Sequence, residues 1–103
     1  MSNWINVPYH SNQVYVVRES AIKDVIKSCF LQDKRVKLSS SSRIMIDEKH
    51  QNLNIFLDIK VKKTVEQDSM SIIRNIVASV EEAVKKLIDK KPKNVQVALI
   101  GFY

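Results

Sequence analysis

The sequence predicts an α+β domain with a mixed four-stranded sheet and two helices packed on one face of it. Residues 53–61 alternate apolar and polar side chains, which is the period of a strand with one buried face. Residues 68–91 carry one apolar stripe at helical spacing, and residues 94–103 form a closing strand. Because each element has one apolar side, stacking the helices on the sheet buries all of them. With the elements before them, the predicted order is β-α-β-β-α-β.

The first half of the chain predicts a strand, a helix and a second strand. Residues 13–18 are rich in β-branched and aromatic side chains, which favour a strand. Ser20 can cap the next helix by accepting a hydrogen bond from its first turn. Residues 34–42 end in four serines, whose side chains compete for backbone hydrogen bonds, so we expect a loop or a frayed strand start there. Residues 43–47 form the second strand. The apolar stripe of the first helix consists of Ile22, Val25, Ile26, Cys29 and Phe30.

The second helix is the longest predicted element. The strand pattern breaks at residues 64–67, and Asp68 or Ser69 is well placed to cap the helix that follows. Pro92 has no amide hydrogen and is expected to stop this helix. Its apolar side chains are each worth roughly 1.5–3 kcal/mol on full burial. They are Ile73, Ile76, Val77, Val80, Ala83, Val84 and Leu87.

At 103 residues the chain fits one domain. We expect residues 1–12, which have no clean period, to form an irregular N-terminal arm, and residues 13–103 to form a single α+β domain. The chain starts without the pattern of a signal peptide, and no apolar run approaches the roughly 18 residues that span a bilayer. The predicted location is therefore cytoplasmic, with any membrane association peripheral and through a partner.

The sequence offers no constellation for catalysis, metal binding or cofactor binding. His10 and His50 lie far apart, without a Cys or His at the spacing of a zinc site. The carboxylates form no close pair that could face inward for acid–base chemistry. Gly101 is the only glycine, so no glycine-rich phosphate loop exists. We predict a protein that is not an enzyme, with no catalytic residue, no metal ligand and no cofactor.

Basic residues are the strongest remaining signal. A net charge of +6 and a pI near 9.6 favour an anionic partner, although moderate charge also serves solubility alone. If Lys34, Arg35 and Lys37 meet the lysines that end the third strand, they form a positive patch for phosphates or carboxylates. Phe56 stands alone on its strand, without the stacking platform of single-strand nucleic-acid sites, so a solvated face is the plainer interpretation. The predicted partner or anion contacts are Lys60, Lys62, Lys63, Lys85, Lys86, Lys90, Lys91 and Lys93.

Apolar side chains on the outer sheet face have two interpretations. Phe56 and its neighbours form an exposed patch of the kind that marks protein contacts. Alternatively, the N-terminal arm folds over this face with Trp4, Ile5 and Tyr9. Both stay open at the level of sequence. The side chains concerned are Phe56, Met45 or Ile46, Ile100 and Phe102.

Four stretches carry a recognisable pattern: QVYVVRESAIKDVI from residue 13, LNIFLDIKV from residue 53, IIRNIVASVEEAV from residue 72 and NVQVALIG from residue 94. Together they resemble the alkaline shock protein family, also called the Gls-type envelope stress response family, over about residues 13 to 102. Members usually carry a glycine after the first helix and another before the second. This chain has neither, and only Gly101 matches.

The resemblance implies a small non-enzymatic cytoplasmic bacterial protein linked to envelope stress or lipid metabolism. It also implies action through a membrane-anchored partner or self-association, and it supplies no catalytic residues. The alternative is a basic RNA-binding or ribosome-associated domain of the KH-like kind, which also combines a small sheet, a long helix and excess positive charge. This chain lacks the Gly-x-x-Gly clamp of such domains. A protein partner or self-association is therefore the first prediction, and nucleic acid the second.

Overall fold

A computed structural model describes residues 3–10 and 12–103 and confirms the α+β class. Two helices pack with a mixed four-stranded sheet, and a separate two-stranded sheet lies at the start of the chain. The predicted β-α-β-β-α-β order is present, with two further strands added to it. The elements are β1 Trp4–His10, β2 Gln13–Arg18, α1 Glu19–Gln32, β3 Val36–Leu38, β4 Arg43–Ile46, β5 Leu53–Val61, a 3-10 helix Lys63–Asp68, α2 Ser69–Ile88 and β6 Asn94–Phe102.

The four-stranded sheet is built around β5. β3 and β4 pair antiparallel with the two halves of β5 along one side, and β6 pairs parallel along the other. Burial alternates over all nine residues of β5, as the period of two predicts, and its bounds are those predicted from the sequence. β3 falls within the segment predicted as a loop or a frayed strand start. The buried side chains of β5 are Leu53, Ile55, Leu57, Ile59 and Val61.

The buried stripe of α2 runs at four-residue steps. It includes Ile76, Val80 and Val84 as predicted, whereas Ile73 and Val77 are only half-buried. Because every fourth residue drifts around an α-helix, the stripe turns slowly from one flank of the predicted face to the other. The buried side chains of α2 are Ile72, Ile76, Val80, Val84 and Ile88.

Three details at the helix ends differ from the sequence prediction. α1 begins at Glu19 without a side-chain cap, so Ser20 lies inside its first turn. Asp68 precedes α2 but also makes no cap hydrogen bond, because its backbone (φ −99°, ψ 12°) is not in the extended conformation of a capping residue. α2 ends at Ile88, before Lys91, because Asp89 adopts a left-handed conformation and donates its amide to the Lys85 carbonyl.

The predicted irregular arm was wrong for residues 4–10, which form strand β1. β1 pairs antiparallel with β2, and the two contact α2 and α1 respectively. Ile5, Val7 and Val17 are buried in the same core as the helix stripes. Through Ile5 and Val7, the arm therefore packs into the core beside the helices, whereas the side chain of Tyr9, which was also expected over the outer sheet face, lies outside what the structure describes.

A contact at the turn between β4 and β5 fixes the β1–β2 hairpin. The Asn6 amide donates to the His50 carbonyl at 2.8 Å, and the rings of Trp4 and His50 stack with centroids 3.8 Å apart. Asp47 shapes this turn by accepting hydrogen bonds from the amides of Gln51 and Asn52. These hydrogen bonds lower the pKa of the Asp47 carboxyl from 3.8 to about 2.

Candidate functional site

The basic residues after α1 and those at the end of β5 lie together. Lys37 is opposite Lys60 in the β3–β5 ladder, and the Lys62 amide donates to the Arg35 carbonyl at 2.7 Å. The juxtaposition on which the predicted positive patch depends is therefore present. We call this group cluster 1, and it consists of Lys34, Arg35, Lys37, Lys60, Lys62 and Lys63.

Tyr103 spans cluster 1 from one side of β5 to the other. The Lys37 ammonium lies 4.4 Å from the centroid of its ring, a cation–π distance. Its hydroxyl donates to the Lys34 carbonyl at 2.8 Å, and the Lys63 amide donates to its carbonyl at 2.7 Å. The Arg35 guanidinium is engaged by Asp33 and lowers the pKa of that carboxyl. The lysines therefore supply the outward positive charge of cluster 1.

The other predicted lysines lie at the opposite end of the sheet. The Lys93 amide donates to the Leu53 carbonyl, at the start of β5, whereas Lys60, Lys62 and Lys63 lie at its end. The eight intervals between the nine residues of β5, at roughly 3.3 Å each, separate the two ends by about 26 Å. Since β5, α2 and β6 form a parallel crossover, the end of α2 returns to the start of the sheet. We call this group cluster 2, and it consists of Lys85, Lys86, Lys90, Lys91 and Lys93.

The eight predicted lysine contacts thus form two surfaces and not one. Their role as partner or anion contacts stays a prediction. In cluster 2, Lys86 also lines a surface cavity between α1 and α2, together with Val25. Lys91 and Lys93 are exposed next to the start of β6.

Between the two clusters runs β6, an edge strand with an open side. Asn94–Phe102 holds no charged residue and no proline over nine residues. β6 pairs with β5 on one side, and no strand among residues 3–10 and 12–103 pairs with its other side. Long, uncharged strand edges are templates for pairing with another chain, which natural proteins normally shield.

The opposite edge of the sheet is shielded in several ways. β3 and β4 are three and four residues long and are interrupted by a serine segment. Arg43 on β4 pairs with Asp58 at 2.7 Å, and the guanidinium lowers the pKa of the Asp58 carboxyl. Ser40 also donates to this carboxylate. Short strands and charged side chains discourage pairing with a further strand, so the two edges of one sheet differ sharply.

The backbone of β6 presents hydrogen-bonding groups outward. The Ser39 amide donates to the Asp58 carbonyl, so the even-numbered residues of β5 face β3 and the odd-numbered ones face β6. In a parallel ladder, the carbonyl of each odd-numbered β5 residue accepts from the amide one position beyond its β6 partner, as the Val61 carbonyl does from the Tyr103 amide. The amides of Gln96 and Ala98 therefore face β5, and those of Val95 and Val97 face away from the sheet.

The hydrophobic layer is also incomplete at β6. Val95, Val97 and Leu99 are in register with Ile55, Leu57 and Ile59, so they lie on the helix side of the sheet. The burial of these side chains decreases along β6. Val97 is half-buried, and Leu99 is 38% exposed. Phe102, which is in register with Val61, is 41% exposed. Apolar side chains on the open flank of α2 and β6 are thus left partly uncovered.

Three further observations on the described residues concern metal ligands, the thiol and the length of the helices. Among these residues, no three His, Cys, Asp or Glu side chains lie close enough to hold a metal ion. Cys29 sits between the helices with its sulfur 3.7 Å from the Ser79 carbonyl, and burial raises the pKa of its thiol. None of the described helices combines the length and apolar character needed to cross a membrane.

Comparisons of this chain with protein-family models, with curated proteins and with solved structures find no match. The resemblance to the alkaline shock family therefore stays a prediction from hydrophobic pattern.

Sequence reasoning did not single out the open edge of β6. A usable signal was present, since Asn94–Phe102 lacks charge and proline while lysines precede it. Tyr103 was also given no role, and its contacts with Lys34, Lys37 and Lys63 arise from strand pairing that local sequence does not specify. The predicted patch on the outer sheet face left a choice between Met45 and Ile46. Met45 is exposed, whereas Ile46 packs against the core, so Met45 is the one that lies on the outer face.

Proposed function

We propose that this chain is a non-enzymatic cytoplasmic protein-interaction module of the alkaline shock type. In this role it binds another protein, or a copy of itself, and reaches the membrane only through such a partner. The link to envelope stress or lipid metabolism comes from the family resemblance alone. The observation that carries the proposal is the open, uncharged edge of β6 with half-covered apolar side chains beside it.

The lysine clusters supply the charge for such an interface. Lys62 and Lys63 in cluster 1 and Lys91 and Lys93 in cluster 2 are exposed. Charges around an apolar contact mainly accelerate association and select the partner, while the apolar contact supplies most of the affinity. A basic rim around an apolar edge suits an acidic protein partner.

A basic RNA-binding domain is the second candidate, and cluster 1 is the observation that favours it. Six basic residues and the ring of Tyr103 gather at one end of the sheet. Phosphate neutralisation by these lysines predicts an affinity that falls steeply with log salt, with a slope near −0.7 per phosphate for single strands.

Capture from the native cell separates the two candidates. The tagged chain is incubated with a nuclease-treated lysate and with an untreated one at low salt, and bound protein and nucleic acid are both identified. The protein-interaction proposal predicts a specific protein that is retained after nuclease treatment. Capture of nucleic acid alone, with proteins lost after nuclease treatment, supports the RNA-binding candidate. Recovery of no protein at low salt, together with a wild-type chain that sediments as a monomer, contradicts the proposal.

A further inference from the structure

Resting on the function proposed above, we infer that β6 binds an extended apolar segment of another protein as an added strand, with acidic residues at both ends of that segment pairing with the two lysine clusters. The occupant is thus an apolar strand with acidic flanks. Backbone hydrogen bonds give the mode of binding, and the lysines at each end give the specificity.

The backbone of β6 fits this mode of binding. The amides of Val95 and Val97 face away from β5, and the register with β5 stays regular from Asn94 to Leu99 before a bulge follows. A regular edge of this length matches a short peptide strand. The bulge lies at the cluster 1 end, so pairing is expected to be centred on residues 94–99.

The side chains of β6 fit an apolar strand. An added strand would continue the row formed by Val95, Val97 and Leu99 on the helix side of the sheet. There, alternate apolar side chains of the partner would cover Leu99, which is 38% exposed. Polar side chains on the other face of the segment would lie beside Gln96 and remain in water.

The charges at the two ends of β6 select acidic flanks. Lys62 and Lys63 are exposed at one end and Lys91 and Lys93 at the other. The ends are about 26 Å apart, the span of roughly nine extended residues. A segment of this length with carboxylates at both termini therefore places opposite charges next to each other at both ends.

The same charges disfavour a second copy of this chain as the occupant. Two β6 edges related by a twofold axis pair antiparallel, which brings cluster 1 of each copy next to cluster 2 of the other. Both clusters are positive, so every end contact would join like charges. An acidic-flanked strand has no such conflict.

A defined peptide tests the inference. The probe is a fluorescein-labelled peptide, Glu-Glu-Thr-Val-Thr-Val-Thr-Val-Thr-Glu-Glu, and the control peptide has Lys in place of each Glu. Fluorescence anisotropy at low salt should show binding of the acidic peptide, at least about tenfold tighter than the Lys peptide. Equal affinity for both peptides, or no binding of the acidic one, would overturn the inference.

Matched variants of the chain locate the binding edge. Val97→Pro removes an outward amide and leaves the ladder to β5 intact, and it should weaken the acidic peptide about tenfold. Val97→Ala also shortens the side chain but keeps the amide, and it should bind within about threefold of the wild type. Unchanged affinity in Val97→Pro, with its melting temperature retained, would place the peptide elsewhere and overturn the inference. Should Val97→Pro not fold, the charge variants decide.

Charge reversal tests the flanks. The double change Lys62→Glu with Lys63→Glu should weaken the acidic peptide by about tenfold and strengthen the Lys peptide. The control, Lys23→Glu with Lys27→Glu, makes the same change in net charge on α1 beside β3, at the edge opposite β6, and should have a much smaller effect. If both double variants weaken binding of the acidic peptide equally, net charge alone explains the effect, and the inference is overturned.

Two further outcomes separate this inference from the proposed function. Sedimentation of the wild type without peptide should show a monomer, and a dimer that Val97→Pro dissociates would mean that a second copy occupies β6 and would overturn the inference. A lysate protein that Val97→Pro still captures would overturn the inference and leave the proposed function standing. The proposed function itself fails only if the wild-type chain captures no protein and does not self-associate.

Discussion

Truncating Ile5 to alanine should strongly destabilise the protein, because β1 is part of the core. The Ile5 side chain is 0% exposed. The change removes three carbons at about 0.8 kcal/mol each, and the residual cavity adds to this loss, for a total of about 3 kcal/mol. For a domain of this size, that loss lowers the melting temperature by roughly 12–24 °C. An irregular arm on the surface would lose about 0.5 kcal/mol or less.

The assay is urea unfolding followed by circular dichroism, with the free energy of unfolding compared at equal m-values. Val14→Ala is the matched control, because Val14 lies on the same hairpin and is 61% exposed. It should cost less than about 0.5 kcal/mol. A loss below about 1 kcal/mol for Ile5→Ala would refute the packing of β1 against α2 and the core described above.

Two further predictions concern the core and the turn before β5. Val80→Asp places an unpaired carboxylate at a position that is 0% exposed. The thermal melt of this variant, followed by circular dichroism, should therefore show no cooperative transition. A transition near that of the wild type would contradict the assignment of Val80 to the core. The pKa of Asp47 is lowered from 3.8 to about 2, so its contribution to stability is complete above about pH 4 and is lost as the pH falls towards 2. Asp47→Asn should therefore melt lower than the wild type at pH 6, and the difference should narrow between pH 4 and 2; a constant difference would contradict this role.

Periodic elements were predictable from the sequence because their signal is local. The alternation of residues 53–61 gave the strand with its observed bounds, since each side chain reports which face of one sheet it occupies. The stripe of α2 gave the helix, but Asp89 ended it three residues before the predicted limit. A left-handed residue that is not glycine leaves little trace in a sequence.

Non-local pairing explains what the sequence did not predict. Ile5 and Val7 are the only buried side chains described for β1, and two residues are too few to establish a period. Pro8 argues against a strand unless the strand that pairs with β1 is known. The two lysine clusters looked like one charged set because distance along the chain does not report the parallel crossover from β5 through α2 to β6. The crossover order itself could have separated them.

Residue-resolved amide hydrogen exchange of β6 tests the central claim most directly, because it reports whether the outer edge of this strand is open. In the dilute, unbound chain, the amides of Gln96 and Ala98 should be protected, whereas those of Val95 and Val97 should exchange at close to the rate of an unfolded chain. Addition of the acidic peptide should then protect Val95 and Val97. Protection of these two amides equal to that of Ala98 before any partner is added would show that the edge is already covered and would contradict the account.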